Sequence, residues 1–125
     1  MSRELVGEIY RSTASGAFGK DFGLRDQIRR AAVSIFSNIS EGFERSGDKE
    51  FARFLSLAKG SCGEVRTQLY IARDLEYLDE KTFGRLQRQA RRTGEIISGL
   101  IRYLKTRGTQ DKRLKQEPCE VPGDA

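Results

Sequence analysis

The sequence contains no histidine and no tryptophan, and only two prolines. Without histidine, it cannot form the Ser–His and Cys–His pairs of nucleophilic catalysis or the Glu-x-x-His motif of di-iron bundles. Both prolines, Pro118 and Pro122, fall in the last eight residues. Proline disrupts a helix interior at a cost of about 3 kcal/mol. A body of more than a hundred residues without proline therefore favours long helices.

Cysteine and long apolar runs are also scarce. Cys62 and Cys119 have no metal-ligand spacing and no CxxC motif. We expect a core thiol at Cys62 and a solvent-exposed thiol at Cys119 in a reducing compartment. No apolar run approaches the ~20 residues of a membrane span, and no signal-peptide pattern opens the chain. We therefore expect a cytoplasmic protein with no membrane contact, no bound metal and no cofactor.

Apolar residues recur at helical spacing in four segments, predicted as helices over about 3–17, 24–43, 49–75 and 80–106. Their predicted connections are 18–23, 42–47 and 76–78, with Asp79 as an N-cap and Gly108 as the end of the last helix. The third and fourth helices each carry an apolar stripe with a 3.5-residue period, which favours lengthwise packing. The stripes are Phe51, Leu55, Ala58, Cys62, Val65, Leu69 and Ala72, and then Phe83, Leu86, Ala90, Thr93, Ile97, Leu100 and Leu104. We predict an all-α, antiparallel up-down-up-down four-helix bundle over residues 1–107 and a disordered polar C-terminal tail over 108–125.

Positive charge is concentrated in one segment. Residues 81–115 contain eleven Lys or Arg and two acids, a net charge of +9. The preceding eighty residues contain twelve bases and thirteen acids, and the last ten contain three acids and no base. Concentrated positive charge on one element is typical of a protein that binds a polyanion, above all nucleic acid.

Seven basic residues of the fourth helix lie away from its apolar stripe and are predicted to contact phosphates. They are Lys81, Arg85, Arg88, Arg91, Arg92, Arg102 and Lys105. The planar fork of arginine suits phosphate oxygens. Because no aromatic residue interrupts this ridge, the pattern predicts backbone contact without base stacking. Two alternatives remain open, namely an ordinary solvated helix face and a surface that binds an acidic protein.

Polar and small residues interrupt the apolar faces of the second and third helices. Ser34, Asn38 and Glu41 share one side of the second helix, and Asn38 falls in its apolar register. A polar group there needs a hydrogen-bonding partner and favours one fixed packing register. Gly60 and Gly63, on either side of Ser61 and Cys62, cost about 1 kcal/mol each in a helix interior. They predict the close approach of a neighbouring backbone.

Four blocks of the sequence resemble a known family. They are 24–43, Glu50-Phe-Ala-Arg-Phe-Leu, Ala58-Lys-Gly-Ser and Glu64-Val-Arg-Thr-Gln-Leu. They resemble the bacterial four-helix-bundle proteins first noticed as open reading frames in intervening sequences of large-subunit ribosomal RNA genes. The resemblance covers roughly residues 8–105. It implies a ring-like homopentamer without catalytic residues, related to the accessory variability proteins of diversity-generating retroelements, which bind a reverse transcriptase and nucleic acid.

The resemblance also implies a signature of structural or interface residues. These are Gln27, Arg29, Arg30, Ser34, Asn38, Glu41, Gly42, Gly60, Ser61 and Glu64. Glu76 stands where the family usually has glycine, so a left-handed conformation there would strain the link by about 1 kcal/mol. Together these observations predict a non-enzymatic oligomer that binds nucleic acid, RNA in preference to DNA, through the basic face of its last helix. The alternative is a protein-interaction scaffold, for example an accessory partner of a reverse transcriptase.

Overall fold

Helices account for almost all of the regular structure. The computed structural model describes the backbone of residues 2–120 and the side chains of residues 3–108. Within that part, the chain forms five helices and no strand, which confirms the all-α prediction. The helices are α1 (Ser2–Ser12), α2 (Gly16–Lys20), α3 (Phe22–Glu44), α4 (Asp48–Asp74) and α5 (Glu80–Glu120). α4 packs against both α3 and α5, while α1 contacts α3 and α5.

The two apolar stripes form the centre of the core. All stripe residues of α4 are buried except Phe51, which is half-buried, and all those of α5 are buried except Leu100, which is also half-buried. Leu5 and Ile9 of α1 and Ile28 and Ile35 of α3 complete this core, each almost fully excluded from solvent. The 3.5-residue period therefore identified the buried face of both long helices.

The N-terminal region differs from the prediction of one helix over 3–17. α1 ends at Ser12, and the chain turns at Gly16, whose φ of +69° is costly for a residue with a side chain. The Thr13 hydroxyl donates a hydrogen bond to the Ile9 carbonyl (2.7 Å), which closes the end of α1. α2 then buries Phe18, whose ring lies 5.3 Å from that of Tyr77. Burial of the Phe18 side chain explains why a short separate helix forms here.

The predicted connection over 18–23 is also wrong. Gly19 lies within α2 and Gly23 within α3, so neither glycine ends a helix. The break falls at Asp21, whose Oδ1 accepts a hydrogen bond from the Leu24 amide (3.1 Å). This side chain serves as the N-cap of α3 by satisfying an amide that has no helical partner. An aspartate cap, rather than glycine, separates the two helices.

The ends of α4 and α5 were predicted with mixed success. Asp79 caps α5, since its Oδ1 accepts from the Thr82 amide (2.7 Å), as predicted. α4 begins at Asp48, directly after Gly47. α5 does not end at Gly108 but continues to Glu120, because a single helical glycine is unfavourable without being forbidden. Residues 121–125 and the side chains after Gly108 lie outside the described part, so the disorder of 108–125 stays a prediction.

The link after α4 requires a left-handed residue at Glu76. Its φ is +62°, the one positive value at a non-glycine residue in the described part. The Tyr77 amide donates to the Ala72 carbonyl (2.8 Å) and the Glu76 amide to the Arg73 carbonyl (2.9 Å). This pair of bonds is the Schellman motif, which usually places glycine at the left-handed position. Glu76 therefore adopts the left-handed conformation for which strain was predicted.

Close helix packing occurs at Gly42 and not at the glycines of α4. A Cβ atom added at Gly42 would lie 2.7 Å from Phe54 Cβ and 3.1 Å from Phe51 Cδ1. At Gly60 and Gly63 an added Cβ would meet nothing within 4 Å, so the predicted close approach there is wrong within this chain. Both glycines are exposed, on parts of α4 that neither α3 nor α5 covers closely.

We predict opposite effects of alanine at two helical glycines. Gly42→Ala forces its methyl group against Phe54 Cβ, which cannot rotate away, and should lower the free energy of unfolding by about 1–3 kcal/mol. Gly60→Ala, in open space, should raise it by up to about 1 kcal/mol because alanine favours the helix. Urea denaturation of both variants measures this. Equal effects of the two substitutions would contradict the packing described for Gly42.

A second prediction concerns the link after α4. Glu76→Gly should raise the free energy of unfolding by about 1 kcal/mol, because glycine adopts a positive φ without steric cost. Glu76→Ala removes the same charge and keeps the steric cost, so it serves as the matched control and should leave stability nearly unchanged. Thermal denaturation of the two variants separates conformation from charge. A stabilisation by alanine equal to that by glycine would assign the effect to charge.

Candidate nucleic-acid interface

All seven basic residues predicted on the last helix are exposed on α5. Because the apolar stripe of α5 is buried against the other helices, these side chains lie on the remaining surface of the helix. They are Lys81, Arg85, Arg88, Arg91, Arg92, Arg102 and Lys105. We call this set the basic face. Over residues 81–105 it extends for about 36 Å at the helical rise of 1.5 Å per residue.

Few carboxylates neutralise the basic face. Arg85 Nε donates to Glu8 Oε2 of α1 at 3.0 Å, and this pair is partly exposed. Within the described residues, five of the seven make no hydrogen bond and no salt bridge within 4.0 Å, namely Lys81, Arg88, Arg91, Arg92 and Arg102. Most guanidinium groups of the basic face are therefore available to an anionic ligand.

Arg107, which was not among the residues predicted to contact phosphates, is paired. Its Nε and Nη2 donate to the two carboxylate oxygens of Asp48 at 2.8 and 2.6 Å. Hydrogen bonding to this guanidinium lowers the pKa of Asp48, and the same bond raises the pKa of Arg107. The pair joins the start of α4 to α5, so Arg107 is not available to an anionic ligand in the way that the unpaired arginines are.

A groove of about 460 Å³ lies between α4 and α5, beside the basic face. Arg91 and Arg102 line one wall, and Lys59 and Arg66 of α4 line the other. Glu95 is the one acid among its lining residues. The sequence prediction missed Lys59 and Arg66 because the charges of α4 are nearly balanced. Each of the two directly follows a residue of the apolar stripe, Ala58 or Val65, and they are seven residues apart. This spacing is the signal that could have revealed them.

Cys62 lies at the bottom of this groove and is 2% exposed. Burial raises the pKa of the Cys62 thiol to about 11, although the nearby Arg66 acts in the opposite direction. A thiol with so high a pKa is neutral near pH 7, so it adds no negative charge to the groove. The prediction of a core thiol at Cys62 agrees with this burial, whereas Cys119 lies outside the described side chains.

The signature residues cluster mainly where α3 packs on α4. The hydroxyl groups of Ser34 and Ser61 share a hydrogen bond across the two helices (2.9 Å). Asn38 donates to the Ser34 hydroxyl (3.0 Å) and to the Ser34 carbonyl (2.9 Å). Asn38 thus has the hydrogen-bonding partner that its place in the apolar register required. Arg29 instead ties α3 to the end of α1, since its Nε donates to the Thr13 hydroxyl (2.7 Å).

Other signature residues face solvent. Gln27, Arg30 and Glu64 border a polar groove of about 340 Å³ between α3 and α4, together with Gln68. Gln68 is 7% exposed, and its Oε1 has no hydrogen-bond partner within the described residues. Glu41 pairs with Arg45, the residue directly after α3 (2.7 Å), and does not join the Ser34 network. Ser34 belongs both to the packing network and to the lining of this groove, whereas Glu41 and Gly60 belong to neither.

The described residues hold no obvious metal site and no membrane span. No group of three or more cysteine, aspartate or glutamate residues is placed to bind a metal ion there. No helix in the same part is both long and apolar enough to cross a bilayer.

Comparisons with known proteins place this fold in a family. A solved structure from Bacteroides thetaiotaomicron, described as a protein of unknown function from the S23 ribosomal protein family, superposes with a TM-score of 0.73. The superposition covers 80% of this chain and 94% of that one at 21% sequence identity, which shows a shared fold. No curated protein matches the sequence. The family described as 23S rRNA-intervening sequence protein matches residues 1–99, and the chain belongs to this family.

Proposed function

We propose that this protein is a non-enzymatic nucleic-acid-binding protein that contacts phosphates through the basic face of α5. We favour RNA over DNA as the ligand, and the binding experiment below compares the two. The observation that carries the proposal is the exposure of seven cationic side chains on one helix, five of which have no hydrogen-bonding or salt-bridge partner within the described residues. A solvated helix face ordinarily mixes both signs of charge, whereas Glu95 is the one acid between residues 81 and 105.

Phosphate contact without base reading is the binding mode that this surface favours. Arginine forks can make bidentate hydrogen bonds to phosphate oxygens. Most of the energy of such contacts comes from the release of counterions, which does not depend on sequence. Tyr103 lies exposed between Arg102 and Lys105, so the prediction that no aromatic residue interrupts the ridge is wrong. A single ring is nevertheless a poor platform for successive stacked bases. We therefore expect broad specificity and strong salt dependence.

We further propose an antiparallel arrangement of the four long segments, α1, α3, α4 and α5, and assembly into a homo-oligomer. Short links and cross-helix contacts support the arrangement. Gly42, near the end of α3, packs against Phe54, near the start of α4, and Asp48 at the start of α4 binds Arg107, which lies late in α5. A homopentamer is what the family resemblance implies. Several copies would multiply a weak contact through high local concentration.

The proposal predicts a steep salt dependence that specific arginines control. Binding of a fluorescein-labelled RNA duplex and of a DNA duplex of the same sequence should weaken strongly between about 50 and 200 mM salt. The double variant Arg88→Gln, Arg92→Gln removes two exposed cations without breaking a hydrogen bond. On the DNA duplex it should reduce the slope of log K against log salt by about 0.9 for each phosphate that is no longer neutralised. Fluorescence anisotropy in a salt series provides the measurement.

The matched control is Arg3→Gln, Lys20→Gln, which removes the same charge from exposed positions on α1 and α2. Its salt slope should stay close to that of the unaltered protein, apart from a small effect of net charge. If the unaltered protein does not bind either duplex at low salt, or if both double variants change the slope equally, the basic face is not the binding surface.

A second candidate function, a protein-interaction scaffold, is favoured by the outer side of α4. Leu57, Glu64 and Ile71 repeat every seven residues, and the two apolar side chains are 48% and 43% exposed. Glu64 and Ile71 line a groove together with Gln68, whose Oε1 lacks a hydrogen-bond partner within the described part of the chain. This surface suits contact with other protein, either a further copy of the chain or, as the resemblance implies, a partner such as a reverse transcriptase.

Native mass spectrometry tests this surface. The double variant Leu57→Gln, Ile71→Gln removes exposed apolar contact area at no cost to the core, and it should shift the particle towards the monomer. Val33→Gln is the control, because Val33 is comparably exposed at 41% on α3, outside the polar groove. An oligomer that persists in the double variant would place the subunit interface elsewhere. A monomeric unaltered protein would argue against self-assembly.

A further inference from the structure

The groove between α4 and α5 has a charge that ordinary helix packing does not require. Lys59 and Arg66 on α4 stand across from Arg91 and Arg102 on α5, with Glu95 as the one acid among the lining residues. Lys59, Arg91 and Arg102 make no hydrogen bond and no salt bridge within the described residues. Cations on opposing walls repel one another, so this arrangement favours an anion that lies between them.

Small residues keep the floor of the groove open. Gly63 and Gly94 line it, together with Ala90 and Ser98. A Cβ atom at Gly63 would meet nothing within 4 Å, and one at Gly94 would lie 3.9 Å from Cys62 Cβ. Neither glycine is needed for close helix packing, although each costs about 1 kcal/mol in a helix interior. Because Gly63 and Gly94 have no side chains, the groove stays deep between the basic side chains of its two walls.

Arg66 is held in a position that presents its two terminal nitrogens. Its Nε donates to Gln87 Oε1 of α5 (3.4 Å), and its carbonyl accepts from Gln87 Nε2 (2.8 Å). Gln87 is 6% exposed, so this anchor lies in the helix interface. The two terminal nitrogens of Arg66 make no hydrogen bond within the described residues. The firm bond is the one to the Arg66 carbonyl, while the guanidinium makes only the long Nε contact and keeps its fork for an oxyanion such as phosphate.

The dimensions and chemistry favour a chain of phosphates over a single ion. Arg91 and Arg102 are separated by about 16 Å along α5, and Lys59 and Arg66 by about 10 Å along α4, at 1.5 Å per residue. A backbone strand carries one phosphate at every nucleotide, so more than one phosphate of a strand that follows the groove can face these walls. No aromatic residue lines the groove, which excludes base stacking within it.

We propose that the α4–α5 groove seats one phosphodiester backbone strand of a duplex nucleic acid, with Lys59 and Arg66 as its second wall. This inference rests on the proposed function and specifies where the strand lies. The basic face on α5 then forms one side of the interface, and α4 contributes the other. The groove also gives Glu95 a definite role, since its carboxylate opposes the bound strand and limits affinity.

Filling the groove without changing its charge tests the proposal. Gly63→Leu places an apolar side chain in open space and should weaken binding of the RNA duplex by about tenfold or more, because it displaces a strand and the phosphate contacts that the strand makes. Gly60→Leu, the same substitution on the same helix but outside the groove, should change affinity less than about twofold. Thermal denaturation should find both variants folded, since each replaces a helical glycine with a better helix former.

Two charge substitutions provide a test that does not depend on tolerance of leucine. Glu95→Gln should tighten binding several-fold and steepen the salt dependence, whereas Glu44→Gln, at an exposed acid on α3, should do neither. Lys59→Gln should weaken binding and make the slope shallower, to an extent similar to Arg88→Gln on the basic face. Lys20→Gln is its control.

The outcomes separate this inference from the proposed function. If Gly63→Leu, Lys59→Gln and Glu95→Gln all behave like their controls while Arg88→Gln, Arg92→Gln still weakens binding, the groove is not used and the basic face alone binds. Failure of the unaltered protein to bind either duplex at low salt would overturn both. A response of the groove variants in the stated directions supports the seated strand.

Discussion

The meeting of two apolar stripes, one on α4 and one on α5, decides where every charge of these helices can go. The residues of both stripes leave water together, which contributes roughly 25 cal/mol for each Å² of apolar surface buried. Once those stripes face inward, the bases of α5 have no place but the outer surface and the edge of the α4–α5 groove. Exposed cations such as Arg88 and Arg92 are thus a consequence of core packing. The same constraint aligns Lys59 and Arg66 along the opposite edge.

Polar contacts refine the packing that the apolar stripes drive. Between α3 and α4, the Ser34–Ser61 hydrogen bond and the tight fit of Gly42 on Phe54 allow one axial register. A shift of either helix would separate the two hydroxyl groups and bring side chains against Phe54. Between α4 and α5, the Gln87–Arg66 and Arg107–Asp48 contacts fix the axial register at two positions along the helices. Arg66 therefore has a double role, since the contact that fixes register also leaves its terminal nitrogens available.

The family and the fold of this chain are well defined, and its exposed charges indicate the class of ligand that its surface favours. Its membership of the 23S rRNA-intervening sequence protein family and the structural likeness to a protein of unknown function define the scaffold without defining a ligand. The proposed ligand class depends on charge, namely the unpaired cations described on α5, the cationic lining of the α4–α5 groove and Glu95 as the acid in that lining. Such surfaces act through counterion release, which supports affinity for nucleic acid but little discrimination between sequences.

The sequence by itself determined which face of each long helix is buried and which basic residues of α5 are exposed. It also determined that Asp79 caps the start of α5 and that a link at Glu76 follows α4. These features depend on helical periodicity and on local capping, which need no partner element.

The sequence did not predict the break between α1 and α2, because the burial of Phe18 against Tyr77 joins residues distant in the chain. Nor did it predict the close contact at Gly42 or the groove between Lys59, Arg66, Arg91 and Arg102. Periodicity describes one helix at a time, whereas a groove requires the rotation and axial register of two helices together. Only the tertiary structure, through packing and hydrogen bonds such as that between Gln87 and Arg66, decides those two quantities.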